Sequence, residues 1–192
     1  MRNLARAAAA ERAAYVNETA ARRNVPAWMV EKDFWVCWLL DRLFTLDAFK
    51  GHLVFKGGTS LSKVFGVIHR FSEDIDLSIS PALLGIDDAW LEESVTKTQR
   101  GRRMEKLEDL CIQAVRERYA RLLEASIREE LGPPGTLWKL ITSVDAVTHS
   151  PVVLFEYPHA ATYQTYVPSA VKIEFGSLTD QQPVGEHPVR SM

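Results

Sequence analysis

From Phe55 to Ser80 the chain reads FKGGTSLSKVFGVIHRFSEDIDLSIS, and the spacing of its apolar residues changes along the way. A strand-like start gives way to a double-glycine turn and a short hydroxyl-rich helix. A second strand follows, in which charged and apolar residues alternate. Side chains two apart on a strand share a face. Asp74, Asp76 and Ser78 are therefore predicted on one side, with Ile75, Leu77 and Ile79 facing a core on the other. Upstream, residues 3–23 are rich in alanine and alternating charge, which predicts a solvent-facing helix. Pro26 suits the first turn of a second helix running to about Leu46. Trp28, Trp35, Trp38, Leu39 and Phe44 give that helix a broad packing surface. Glu31, Lys32 and Asp33 interrupt the surface and are expected to form a solvated turn.

Downstream, a loop over Pro81–Ile86 leads to a largely helical span from about Asp87 to Leu131. Met104, Leu107, Cys111, Val115 and Leu122 recur there as one helical stripe. Gly132, Pro133, Pro134 and Gly135 break it. Strand patterns follow at Leu137–Val147, Val152–Tyr157 and Val167–Gly176. In the last of these Val171, Ile173 and Phe175 share one face, and Lys172 and Glu174 the other. Glu174 has two readings. Beside the Asp74–Asp76 strand it becomes a third carboxylate on one face; elsewhere, Lys172 and Glu174 are the wet side of an amphipathic strand. No internal repeat or low-complexity linker divides the chain.

Composition narrows the setting. A chain of 192 residues suits one domain, or one domain with a helical extension. Hydrophobic residues at 46% and charged residues at 25% are those of an ordinary soluble globular protein. The net charge of −2 leaves no overall polyanion footprint. Arg100, Arg102 and Arg103 form the only compact basic cluster and are expected in a solvated loop. Cys37 and Cys111 lie in apolar helical patterns without metal-type spacing, as buried free thiols of a reducing compartment would. Glu11 and Arg12 interrupt the N-terminal alanines too early for a signal-peptide core. The apolar run Phe34–Leu40 is far short of the roughly 18 residues of a membrane span. A cytoplasmic protein without a membrane partner is expected. P-loop, dinucleotide, H-E-x-x-H and C-x-x-C motifs are absent. His52, His69, His149, His159 and His187 are scattered, with no nucleophile arrangement around any of them.

The candidate chemistry lies in the first stretch. Two carboxylates held close repel one another unless a cation or basic partner lies between them. Backbone N–H groups at a glycine turn entering a helix suit phosphate. Together these point to nucleotide chemistry. Two or three carboxylates can hold Mg²⁺ (or Mn²⁺), which also binds substrate phosphates, activates an attacking hydroxyl and stabilises leaving pyrophosphate. Gly57 and Gly58 permit close approach to a triphosphate. Thr59 is expected to cap the helix, Ser60 or Ser62 to donate a hydroxyl bond, and Lys63 to reach a phosphate oxygen.

FKGGTSLSKVFGVIHRFSEDIDLSI resembles the core motif of the AbiEii/AbiGii toxin family, within the DNA polymerase β-like nucleotidyltransferase superfamily. Val30–Phe44, VEKDFWVCWLLDRLF, is similar to the segment that precedes that motif. VKIEFGS, Val171–Ser177, resembles the strand that supplies the third acidic position. The resemblance implies an α+β fold: a mixed central sheet flanked by helices, with residues 1–50 as an N-terminal helical segment packed on a core of residues 51–192. It implies transfer of a nucleotide from NTP to an acceptor hydroxyl on RNA, tRNA in particular, or on protein. Gly57, Gly58, Thr59 and Ser60 would lie at the triphosphate, with Asp74 and Asp76 as metal ligands and Glu174 as the third acid. Lys63 falls where the motif also has a lysine, and Lys32 and Asp33 match its EKD portion without an assignable role. In relatives of this type, a toxin of abortive infection accompanies an antitoxin that is a transcriptional regulator. Members commonly continue past the third-acid strand into a helical region that is expected to be missing here. The rival expectation is therefore a folded remnant that binds nucleotide or a partner without turnover.

Overall fold

The computed structural model describes residues 1–68, 71–87, 90, 96–160, 168–177 and 184–191. The expected N-terminal helix is two helices, α1 (Arg2–Arg6) and α2 (Ala9–Arg23), joined through extended backbone at Ala7 and Ala8. Arg12 accounts for part of the break. Its guanidinium donates to the Ala7 carbonyl exposed there and, 3.3 Å away, to that of Pro158. Nor does α2 face solvent all round. Arg12, Val16 and Ala20 are buried, and the last two cluster with Val30 of α3 (Ala27–Thr45).

α3 is apolar on most of its circumference, and such a helix belongs inside. Trp35, Val36, Trp38, Leu39 and Leu43 are fully buried. Trp35 meets Trp38 edge-on at 5.4 Å and stacks on Tyr157 at 5.7 Å. Phe44, placed by its spacing on the same surface, is 45% exposed near the helix end. Glu31, Lys32 and Asp33 overturn the expectation of a solvated turn, being 1%, 5% and 3% exposed. Charge at such depth requires partners, and all three have them, as described below.

The sheet comprises β1 (Leu53–Lys56), β2 (Ile75–Ile79), β3 (Lys139–Val144), β4 (Pro151–Glu156) and β5 (Ala170–Gly176), in the order β1-β2-β5-β4-β3. β2 and β5 run parallel; the other three pairings are antiparallel. α4 (Gly57–Lys63) leaves β1 without an intervening loop. Ile75, Leu77 and Ile79 are completely buried, as alternation predicts, and join Val153, Phe155, Val171, Ile173 and Phe175 in one core with α3.

α5 (Lys97–Ala114) continues through a π-helical turn, Val115–Tyr119, into α6 (Ala120–Leu131). The extra residue of a π turn shifts the helical register by one position. The buried stripe accordingly runs Leu107, Cys111, Val115, Tyr119, Leu123, Ile127, and Leu123 takes the place expected of Leu122. Arg100 and Arg102 remain exposed, but the cluster is helical rather than a loop. Thr96 and Gln99 form a capping box that fixes the start of α5. Cys37 and Cys111 are free and buried, and burial raises both thiols to about 11. The thiols therefore stay protonated and unreactive. No helix among the described residues is long and apolar enough to cross a membrane.

Candidate active site

Strand register builds the site. Lys56 of β1 stands opposite Asp76 of β2, and Asp76 stands opposite Glu174 of β5. Residues paired across a sheet point to the same face, so three charged side chains meet there in a row. Of the two readings of Glu174, the strand beside Asp76 is the one observed. Asp74 lies just before β2 and is exposed. A cavity of about 210 Å³ opens over this face, lined by Lys56, Gly57, Asp76, Ser150, Glu174 and Gly176.

Gly57 is required there twice over. Its φ is +74°, and a Cβ would lie 1.9 Å from Oδ2 of Asp76. The carboxylate occupies the space a side chain would need. Gly57→Ala is expected to combine left-handed strain of about 1–2 kcal/mol with displacement of Asp76. Chemical denaturation should register the first effect, and loss of nucleotide-dependent thermal stabilisation the second.

Negative charge is crowded at this end of the sheet. Partial loss of solvent raises the pKa of Asp74 first, and neighbouring Glu73 raises it further. The same loss raises Asp76, followed by the charges of Glu174 and Asp74. Lys172 offsets part of this. Its Nζ lies 2.8 Å from Oε2 of Glu174 and 3.4 Å from Oδ2 of Asp145. The hydrogen bond to Glu174 is the main reason the Lys172 pKa rises. Asp145 is in turn lowered to about 2 by the backbone N–H groups of Thr148 and Val147.

A carboxylate whose pKa is higher folded than unfolded costs stability above its folded pKa, and the cost disappears below the unfolded value near 3.9. Without a divalent ion, Asp74 and Asp76 thus favour the folded state more at mildly acidic than at neutral pH. Protons compete with cations for the same oxygens. The rise in melting temperature produced by Mn²⁺ should therefore be larger at pH 7 than at pH 5, and Asp74→Asn with Asp76→Asn should remove the difference.

The glycine helix is bound inward. Thr59 does not cap it; the N-cap position is Lys56, with no side-chain bond. The Thr59 hydroxyl instead lies 2.7 Å from Oγ of Ser72 and donates to the Asp74 carbonyl, tying α4 to the approach into β2. Ser60 Oγ donates to the Gly57 carbonyl at 3.0 Å. Gly58 follows Gly57 in the first turn. Lys63 forms a buried ion pair with Asp33, the two side chains being 6% and 4% exposed.

Glu31 and Lys32 complete a set with Asp33. Glu31 accepts from the Ala160 backbone N–H at 2.8 Å and lies 2.8 Å from Nδ1 of His159. Lys32 Nζ is 2.6 Å from Oε2 of Glu73, immediately before Asp74. Three successive residues of α3 thus hold the end of α4, the entry to β2 and the segment after β4. Sequence reasoning missed this. The available signal was three charges set beside the densest apolar stretch, where unpaired charge is not tolerated. His69 and Arg70 lie outside the described residues.

Asp74, Asp76 and Glu174 offer hard oxygen donors of the kind Mg²⁺ takes, and the mutual repulsion at Asp76 suits a cation. Among the described residues, no three or more His, Cys, Asp or Glu side chains are gathered as a finished metal site. Lys172 occupies Glu174 in the arrangement observed.

The sequence model described as nucleotidyl transferase AbiEii toxin, type IV toxin–antitoxin system, matches residues 38–192. The chain belongs to the AbiEii nucleotidyl transferase toxin family. The match takes in β1 through β5 and the C-terminal part of α3, hence the whole carboxylate face. A search of curated proteins gave no match. AbiEii membership accounts for the fold and brings with it an NTP substrate and a cognate antitoxin.

Proposed function

We propose that the chain is a metal-dependent nucleotidyltransferase acting as a toxin, which moves a nucleoside monophosphate from an NTP to an acceptor hydroxyl and releases pyrophosphate. The observation that carries this reading is the register of Asp76 against Glu174, with Asp74 two positions earlier. Asp74, Asp76 and Glu174 would hold Mg²⁺ or Mn²⁺. When bound, such ions supply activation of the hydroxyl and charge stabilisation of the leaving group. Glu174 would exchange its bond to Lys172 for the ion. Gly57, Gly58, Thr59 and Ser60 are assigned to the triphosphate side, where the missing side chain at Gly57 lets the Asp76 carboxylate lie against the glycine turn. Lys63, tied to Asp33, is assigned to anchoring α4 beneath it. The acceptor is RNA, tRNA in particular, with a protein hydroxyl as the alternative. The toxin acts in the cytoplasm, beside an antitoxin that regulates transcription.

Purified protein incubated with Mg²⁺, each α-labelled NTP in turn, and total RNA or cell extract should place label on an acceptor. Chelation and Asp74→Ala should each remove that label. A reading without turnover draws support from Lys172, which already neutralises Glu174. A rise in melting temperature with NTP, unaccompanied by labelled product from any NTP, would favour that reading.

A further inference from the structure

Two glycines of the site stand against a charged side chain, Gly57 against Asp76 and Gly176 against Lys56. A Cβ on Gly176 would stand 3.3 Å from Nζ of Lys56. Lys56 begins opposite Asp76 on β1, yet its ammonium reaches across β2 to the end of β5. That position lies where two cavities adjoin. The 210 Å³ cavity holds Asp76 and Glu174; a second, of about 120 Å³, is lined by Glu108, His149 and Ser177; Lys56, Ser150 and Gly176 line both. Lys63, the lysine whose spacing suggested a phosphate contact, is buried against Asp33 instead.

We propose that Lys56 is the lysine that binds the triphosphate of the incoming NTP, its ammonium lying beside Gly176 where the two cavities adjoin. This rests on the nucleotidyl-transfer reading above. Phosphate oxygens are the matching chemistry: a lysine ammonium is a compact point charge with three donors, and a triphosphate together with the carboxylates of Asp74, Asp76 and Glu174 brings more negative charge than two divalent ions cancel. Lys56 also bears on Asp76, lowering its pKa, so a purely local balancing role must be separated from a substrate role.

Calorimetric titration separates them, with sodium tripolyphosphate, each of the four common NTPs and Mn²⁺ as ligands. Lys56→Ala and Lys56→Gln should weaken tripolyphosphate and the best-bound NTP by about ten- to a hundred-fold, as loss of a charged hydrogen bond does. Lys56→Arg should retain most of the affinity. Lys56→Met, which keeps the length of the side chain without its charge, should weaken the same two ligands and serves if neither of the other neutral variants folds. If these variants bind tripolyphosphate like the parent while Mn²⁺ affinity changes, Lys56 only balances Asp76 and the proposal is overturned. If the parent binds neither tripolyphosphate nor any NTP, the nucleotidyl-transfer reading falls and takes this one with it.

Discussion

Asp76→Ala is expected to lower label transfer by about 10³-fold or more, beyond the 10- to 100-fold typical of residues that only support a metal ligand. The size follows from position. Asp76 is the middle member of the row Lys56–Asp76–Glu174, and its carboxylate fills the space left by Gly57. Its removal takes away a proposed metal ligand and the group around which the glycine turn is shaped. Folding should survive, because Asp76 is on the wet face of β2 and carries a raised pKa. Its alanine variant should melt at the parent temperature or slightly above when no divalent ion is present. Activity close to that of the parent would remove Asp76 from the proposed machinery.

Asp33→Ala should have the largest effect on stability, about 3–5 kcal/mol, as when a buried ion pair loses one partner. Lys63 would be left charged with its side chain 6% exposed. That is a large part of the roughly 5–15 kcal/mol that holds most domains folded. Apolar replacement of both partners, Asp33→Leu with Lys63→Met, should recover much of the loss, because the strain lies in the orphaned charge. Denaturant titration of the two single variants and the double variant gives the comparison. Equal destabilisation by all three would mean that packing, rather than charge, is what the pair contributes.

The double variant also asks what the three α3 charges are for. If Glu31, Lys32 and Asp33 hold the pieces of the site in place, stability should return in Asp33→Leu/Lys63→Met while NTP-dependent thermal stabilisation stays below that of the parent. The two readouts then separate a structural ion pair from one that also positions α4.

Local alternation made the carboxylate strand legible. Ile75, Leu77 and Ile79 are buried where a period of two puts them, and Asp76 faces the other way. The pairing of Asp76 with Glu174 was not determined by spacing, because strand neighbours depend on contacts far apart in sequence. Resemblance to AbiEii proteins pointed to it, and the register of β2 with β5 brings the two together. The α3 charges were misread because a charged triplet looks alike in water and in a core until its partners are known. Glu73, Lys63 and His159 lie 41, 30 and 128 positions from their α3 partners. The π turn was hidden for a related reason: one inserted residue shifts a buried stripe without disturbing composition or helical propensity. Lys56 escaped notice because it precedes the glycines and reads as an ordinary strand-end lysine.

The most direct test is anomalous diffraction from crystals grown with Mn²⁺ and a non-hydrolysable NTP. A manganese peak is expected within coordination distance of Asp76 and either Asp74 or Glu174, with Lys172 moved off Glu174. Manganese bound elsewhere on the chain, with the Lys172–Glu174 bond intact and the nucleotide away from Gly57, would contradict the proposed site.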